Sequence, residues 1–292
     1  MVVVGHVAVD VNVMPWGIVE NALGGAPTYA GLALLALGKG VGVVSKVGFD
    51  FTEMFPPIYS KLGLDTQGMF VKGEHTTTFR NVYDKTGNRE QVCKHVAAGI
   101  TPDDVPEDYK GARGFYISPL ADEVAVDVLR EVKWKENTVM MDPQGLFRRV
   151  NVDGRIAVHP RDDLQDFLKY VDVVKIGKDE AKVFQSPVKE VLTSLTRMGP
   201  KIAIMTLGES GCAIVSDGRF LEVGALKVDV KDMTGAGDVF GAAFLAKFME
   251  TSDVLSSAKF ASAAAGLKVR YKGPTGFPSE GEVMEALSRH RL

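Results

Sequence analysis

The chain is a succession of short apolar runs, each bounded by glycine, proline or polar residues. Val2 to Val9 is brief and β-branched, which predicts a strand. Gly24-Gly25 then opens a helical stretch whose apolar residues run from Ala30 to Leu37 and stop at Gly38. Val41 to Val47 predicts a second strand, and Phe51 to Leu62 a helix broken at Pro56 and Pro57. The rhythm then changes. Thr66 to Val71, Thr76 to Val82 and Arg89 to Val96 read as strands with few helix signals between them. Lys85-Thr86-Gly87-Asn88 suits a hairpin turn, because Gly and Asn tolerate positive φ. These runs predict a small antiparallel β lid over residues 66–96.

From Phe115 the alternation resumes. Strands are predicted at Phe115 to Ser118, Thr138 to Met141, Val171 to Ile176, Ile202 to Leu207 and Cys212 to Val215. Helices are predicted at Asp122 to Val132, Asp163 to Tyr170, Val188 to Met198, Gly235 to Glu250 and Ser252 to Val269. Such alternation predicts an α/β fold, with a mostly parallel sheet covered by helices on both faces. No internal repeat or Pro/Ser linker divides the chain, so residues 1–292 read as one α/β domain carrying the lid.

Composition narrows the function classes. The chain is 46% apolar and 24% charged, with 34 Lys plus Arg against 37 Asp plus Glu. That balance fits an ordinary globular protein and excludes collagen, coiled coil and disordered tail. A net charge of −3 argues against a nucleic-acid partner, whose phosphates call for clustered Lys and Arg. The longest apolar stretch, Ala30 to Leu37, falls far short of the ~20 residues a membrane span needs. Asp10 interrupts the first apolar run, so no secretory leader is read and a cytoplasmic place is expected. Cys93 and Cys212 sit in no C-x-x-C or zinc spacing and read as small buried hydrophobes.

The most informative segment is Asp232-Met233-Thr234-Gly235-Ala236-Gly237-Asp238-Val239-Phe240-Gly241. It leads from a strand-like stretch, Ala225 to Val230, into a strongly apolar helix. The first N–H groups of a helix lack intrahelical partners, and the helix dipole adds positive potential there. Gly235, Ala236 and Gly237 therefore make an anion hole suited to phosphate. Asp238 in the first turn repels phosphate, which makes sense if it accepts a proton from a hydroxyl attacking phosphorus. The same residues also suit an ordinary helix start, with Thr234 as N-cap and Asp238 favouring the dipole. Competing nucleotide motifs fail: no G-x-x-x-x-G-K-[ST] occurs, and Phe240 stands where a G-x-G-x-x-G would end.

This string resembles the C-terminal signature of the ribokinase-like carbohydrate kinases, also called the phosphofructokinase-B type. The resemblance covers nearly the whole chain. It implies a ribokinase-like fold and ATP-dependent phosphorylation of a sugar or polyol hydroxyl, with Asp238 as catalytic base and Gly235, Ala236 and Gly237 as anion hole. Gly5-x-x-x-x-Asp10 resembles the family's sugar-binding start, and Gly24-Gly25-Ala26-Pro27-Thr28-Tyr29 its N-terminal signature. Tyr29 stands where many members carry Asn. Gly48-Phe49-Asp50 matches a Gly-x-Asp, with Asp50 supporting. Gly177-Lys178-Asp179-Glu180 matches an Asn-x-x-Glu, with Gly177 replacing Asn and Glu180 organising Mg²⁺.

The resemblance extends to the nucleotide side. Thr206-Leu207-Gly208-Glu209-Ser210-Gly211 resembles the nucleotide loop, which assigns Thr206, Gly208 and Gly211 to ATP. Ala264, in the small-residue run Ala261 to Gly266, falls where the adenine packs. Gly273-Pro274-Thr275-Gly276 falls where a monovalent cation such as K⁺ is bound. Asp142-Pro143-Gln144-Gly145 with Arg148 resembles an inositol- or sugar-kinase branch and assigns Asp142 and Arg148 to substrate. Trp16 is a candidate wall of the sugar pocket. A nucleoside kinase of the same family and a non-catalytic small-molecule-binding homologue are the alternatives. Unpaired edges of the lid point to a homodimer through it.

Overall fold

The structure is a computed structural model that describes residues 1–15, 17–51, 59, 62–83, 89–290 and 292. Trp16, most of the helix expected from Phe51 to Leu62 and the turn Lys85 to Asn88 lie outside the described residues.

Nine strands form the main sheet. In chain order they are β1 (Val2–Val4), β4 (Gly42–Val47), β5 (Asp65–Val71), β8 (Gly114–Ile117), β9 (Thr138–Met141), β12 (Val173–Gly177), β13 (Ile202–Thr206), β14 (Cys212–Ser216) and β15 (Arg219–Val223). Their spatial order is β15-β14-β13-β12-β9-β8-β1-β4-β5. From β13 to β5 all neighbours run parallel, and β14 and β15 close one edge antiparallel. Successive side chains on a strand point to opposite faces. Val3, Tyr116, Met140, Val173 and Ile204 accordingly pack in one core, and Val2, Val4, Phe115, Ile117, Val139 and Val174 in another.

Helices cover both faces. On the first lie α1 (Ala26–Ala36), α4 (Ala236–Thr251), α5 (Val254–Lys268) and α6 (Glu280–Arg289). On the second lie α2 (Val126–Val132) and α3 (Val188–Arg197). The apolar faces of α4 and α5 are continuous, which matches their burial between the sheet and one another.

A second, four-stranded sheet has the order β3-β2-β6-β7, built from β2 (Ala8–Met14), β3 (Gly17–Gly24), β6 (Thr78–Tyr83) and β7 (Arg89–His95). Three expectations change here. Val2 to Val9 is not one strand. It breaks at Gly5, which adopts φ +152° and approaches Ser118 so closely that a Cβ would stand 2.3 Å from its carbonyl oxygen. Residues from Ala8 onward thereby leave the main sheet for the small one. Asp65–Val71 does not join the small sheet but pairs parallel with β4 as the edge of the main one. Ala225 to Val230 forms no strand; the edge strand there is Arg219–Val223. A further pair, β10 (Arg148–Val150) and β11 (Ile156–Val158), follows β9.

Candidate active site

The candidate residues collect where the parallel strands end, which is where ligands bind in open α/β sheets. The chain leaves β1 toward β4 on one side and later returns to β8 on the other, so the loops after β1 and β8 part over the middle of the sheet. Asp142 follows β9, Gly177 ends β12 and Thr206 ends β13. The head of α4 crosses above them.

Gly235 is the N-cap of α4, in the left-handed conformation with φ 74°. No side chain caps the helix, so Thr234 does not play the capping part open to it in the sequence. Instead the Thr234 N–H donates to Asp232 Oδ1 at 2.9 Å, and the Gly273 N–H donates to Asp232 Oδ2 at 2.7 Å. The Ala236 N–H closes a turn on Met233 O at 3.2 Å. Gly237 and Asp238, next in the first turn, have N–H groups that no helical carbonyl can reach. These amides and the helix dipole form the positive end.

Asp238 lies beside that end. The residue is partly exposed, yet Oδ1 is fully enclosed and has no hydrogen-bond partner among the described residues. Burial pushes the carboxyl up to about 7; Lys175 and Arg148 draw it down, and Asp142 drives it further up. Beneath it lies a buried ion pair, Lys175 with Asp142, each residue 3% exposed. Lys175 shares a strand face with Val173 and so turns toward α4, where Nζ donates to Gly237 O at 3.1 Å. Burial alone would lower the Lys175 pKa, but Asp142 and Asp238 outweigh it and the net shift is upward. Tyr116 completes the floor. Burial, then Asp142 and Asp238, raise its pKa well above the usual value. Gly241 leaves the room: a Cβ there would meet Tyr116 Oη at 2.5 Å.

Sequence reasoning missed Lys175 and Tyr116. The signal was present for the lysine, a charge inside the apolar strand Val173-Val174-Lys175-Ile176, because a buried lysine demands a partner. Asp142, expected at the substrate, is paired with Lys175.

The residues expected to meet an acceptor fall into a second group. Asp10 lies on β2 opposite the end of β3, and a Cβ on Gly24 would stand 2.9 Å from Asp10 Oδ2. Gly25 follows as the N-cap of α1. The Phe79 N–H donates to Asp10 Oδ1 at 3.4 Å and Asn81 Nδ2 to Oδ2 at 3.5 Å. Asn81 also donates to Asn12 Oδ1 at 2.9 Å and accepts from Gln91 Nε2 at 2.8 Å, a polar ladder on the lid that sequence reasoning did not single out. Arg148 is held by Leu120 O at 3.2 Å and Gln144 Oε1 at 2.9 Å, within electrostatic reach of Asp238. Asp50 accepts from the Thr76 N–H at 2.8 Å and the Thr76 hydroxyl at 2.6 Å, bracing the passage from the main sheet to the lid.

The third group lies at the ends of β12 and β13. Glu180 is half-buried in the short helix Lys178–Ala181. A Cβ on Gly177 would stand 2.5 Å from Glu180 Oε2, so the missing side chain makes room for that carboxylate. Thr206 hangs on Ile176 O at 3.4 Å, and Lys178 Nζ approaches Gly208, 3.7 Å from where a Cβ would be. Gly211 closes the turn, its N–H donating to Gly208 O at 3.0 Å. Ala264 does not join this group. It is 1% exposed inside the core, so a flat base cannot reach it. Among the described residues no cluster of three His, Cys, Asp or Glu could hold a metal unaided. Mg²⁺ is commonly bound by one or two carboxylates together with phosphates and water. Cys93 and Cys212 are buried, and burial pushes their thiols up to about 11 and about 12.

Residues 1–280 match the family described as pfkB family carbohydrate kinase. The chain belongs to that family. It is thus a kinase, a phosphotransferase of the carbohydrate class. A cytidine kinase of Thermococcus kodakarensis is 30% identical over 254 residues, 85% of this chain and 88% of that one. Fructokinase-1 of Zea mays is 27% identical over 290 residues, 92% and 89% of the two chains. Among solved structures, a pyrophosphate-dependent kinase in the ribokinase family, complexed with a pyrophosphate analogue and myo-inositol, superposes with a TM-score of 0.82 at 24% identity, over 98% of this chain and 100% of the other. The Methanocaldococcus jannaschii nucleoside kinase superposes with a TM-score of 0.76 at 19% identity, over 99% and 98%. The ribokinase-like fold of this pfkB kinase is established by these matches. No helix among its described residues is long and apolar enough to cross a membrane.

Proposed function

We propose that this pfkB kinase transfers the γ-phosphoryl group of ATP to a hydroxyl of a sugar or polyol, with Asp238 as general base. The observation that carries the reading is the enclosed, unpartnered Asp238 Oδ1 beside the helix N-terminus. A carboxylate repels phosphate, and taking the proton of an attacking hydroxyl gives it a use there. The acceptor oxygen forms a bond to the γ-phosphorus, the bond from phosphorus to the bridging oxygen breaks, the hydroxyl proton passes to Asp238, and ADP leaves.

Asp10, Gly24 and Gly25 bind acceptor hydroxyls from the lid side, and Arg148, within electrostatic reach of both Cys93 and Asp238, joins them. The N–H groups after Gly235, through Ala236 and Gly237, receive the transferred group. Thr206, Gly208 and Gly211 bind the donor, with Lys178 beside its phosphates. Glu180 would hold Mg²⁺ through water, and bound there the ion would neutralise charge on the donor phosphates.

Likeness to the cytidine kinase favours a second reading of the acceptor, a nucleoside phosphorylated on its ribose. A panel of ribose, fructose, myo-inositol, cytidine and adenosine decides, each with ATP–Mg²⁺ and in parallel with pyrophosphate. Products are identified by phosphorus NMR. Turnover of cytidine alone makes the chain a nucleoside kinase; turnover with pyrophosphate but not ATP changes the donor. No turnover on any acceptor sinks the catalytic reading and leaves a binding homologue.

We also read β3, the outer strand of the lid, as the contact of a homodimer, since its Ile18 and Val19 side chains are exposed.

A further inference from the structure

Three lysines are buried in the described chain. Lys175 and Lys46 sit against carboxylates, Asp142 and Asp104. Lys268, at the end of α5, is 0% exposed and makes no ion pair within 4.0 Å among the described residues. Its Nζ stands 5.6 Å from the ring centroid of Tyr29 and 5.7 Å from that of Phe277, and donates to Tyr271 O at 3.3 Å. Two aromatic faces and a carbonyl are surroundings for a cation. Burial lowers the Lys268 pKa, and the nearby Asp232 carboxylate opposes that by its charge.

Two of these neighbours, Tyr29 and Asp232, border the phosphate hole. Tyr29 packs on the N-cap of α4, so closely that a Cβ on Gly235 would stand 2.0 Å from its ring. Asp232 binds Thr234 and Gly273 together, tying the loop before α4 to the loop after α5. Lys268 places one positive charge where these loops and α1 meet. Without that charge, the Tyr271 carbonyl and the two ring faces would keep a site suited to a cation, within electrostatic reach of Asp232.

We propose that the Lys268 ammonium is a built-in cation that holds the phosphate hole in its working shape, making the enzyme independent of any added monovalent cation. Lys268 is a positioning residue and touches no substrate. The proposal rests on the kinase reading of the site, and the test separates the two.

Wild type, Lys268→Met and Lys268→Ala are compared in potassium, ammonium and tetramethylammonium chloride at one ionic strength. Rates are measured with the best acceptor, and melting temperatures without substrates. The wild type should behave alike in all three salts. Lys268→Met should lose about 10–100-fold in kcat with KM for the acceptor little changed, the usual cost of losing a group that orients others. Lys268→Ala should show the same loss in tetramethylammonium. It should regain about tenfold in potassium or ammonium, with a saturable rise in melting temperature that the wild type lacks. The proposal is overturned by a wild type whose rate or melting temperature climbs saturably with potassium. Wild-type kcat in Lys268→Met, or Lys268→Ala behaving alike in all salts, overturns it too. If no acceptor is phosphorylated the kinase reading fails, while the melting curves still judge the cation. If Lys268→Ala does not fold, the wild-type and Lys268→Met data decide.

Discussion

Asp238 carries two opposite consequences of one burial. Its carboxyl is raised to about 7, first by desolvation. A base must be deprotonated to accept a proton, so kcat/KM should rise with pH along a single limb centred near 7 and level off above it. Initial rates at limiting acceptor from about pH 5 to 9 check this, and a flat profile would remove Asp238 as base. The raised pKa also means that the folded state binds the proton more tightly than the unfolded one, whose carboxyl keeps the ordinary value of 3.8. Below that value both states are protonated and nothing is lost. As pH climbs through about 7 the full cost of a buried carboxylate appears. Asp238→Asn should therefore lower kcat by about 10²–10⁴. At alkaline pH it should be about 2–4 kcal/mol more stable than the parent, the gap closing toward pH 4 in urea titrations. Lys175 behaves differently, because its partner is buried with it. Lys175→Met leaves Asp142 charged in the floor of the site and should cost about 3–5 kcal/mol. Adding Asp142→Asn should recover much of that loss, and a double variant no more stable than the single one would show that the pair does not act as a unit.

At the scale of elements, the head of α4 is set by a backbone conformation and a neighbouring ring. Gly235 sits at φ 74°, and the space its Cβ would take is filled by Tyr29. Gly235→Ala should cost about 1–3 kcal/mol through left-handed strain, with further loss from displacing the ring. It should also lower kcat more than it raises KM for the donor, because the amides proposed to meet the transferred group move with the cap. Circular dichroism melts and initial rates read both effects; an unchanged kcat would detach the hole from the cap. The helix itself was legible in the sequence, since Gly235-Ala236-Gly237-Asp238 leads into an apolar run with no break before Ser252. Strand β3 was not legible. Gly17-Ile18-Val19-Glu20-Asn21-Ala22 mixes polar and apolar residues without alternation, lies mostly exposed, and pairs only with β2.

Across the whole molecule, the parallel strands could be read because burial on both faces makes them continuous apolar runs. Their partners could not. Asp65–Val71 and Thr78–Tyr83 look alike as short strands, yet one extends the main sheet and the other the lid, a choice made by pairing with β4 and β2 far away in sequence. The lid therefore takes two of its four strands, β2 and β3, from residues before α1, which brings Asp10 beside Gly24 and puts β3 at one edge of the small sheet. That strand presents backbone groups unpaired within the sheet, and its Ile18 is 62% and its Val19 38% exposed. An exposed strand edge carrying apolar side chains is a template for pairing with another strand, with Glu20 as the one charge along it. Sedimentation equilibrium should show a dimer, and Ile18→Lys with Val19→Lys should weaken it by about tenfold or more, since each charge must be desolvated on contact. The two side chains carry little of the fold, so the melting temperature of the dilute protein should stay nearly unchanged. A monomeric parent, or a dimer indifferent to both lysines, would place the contact elsewhere or remove it.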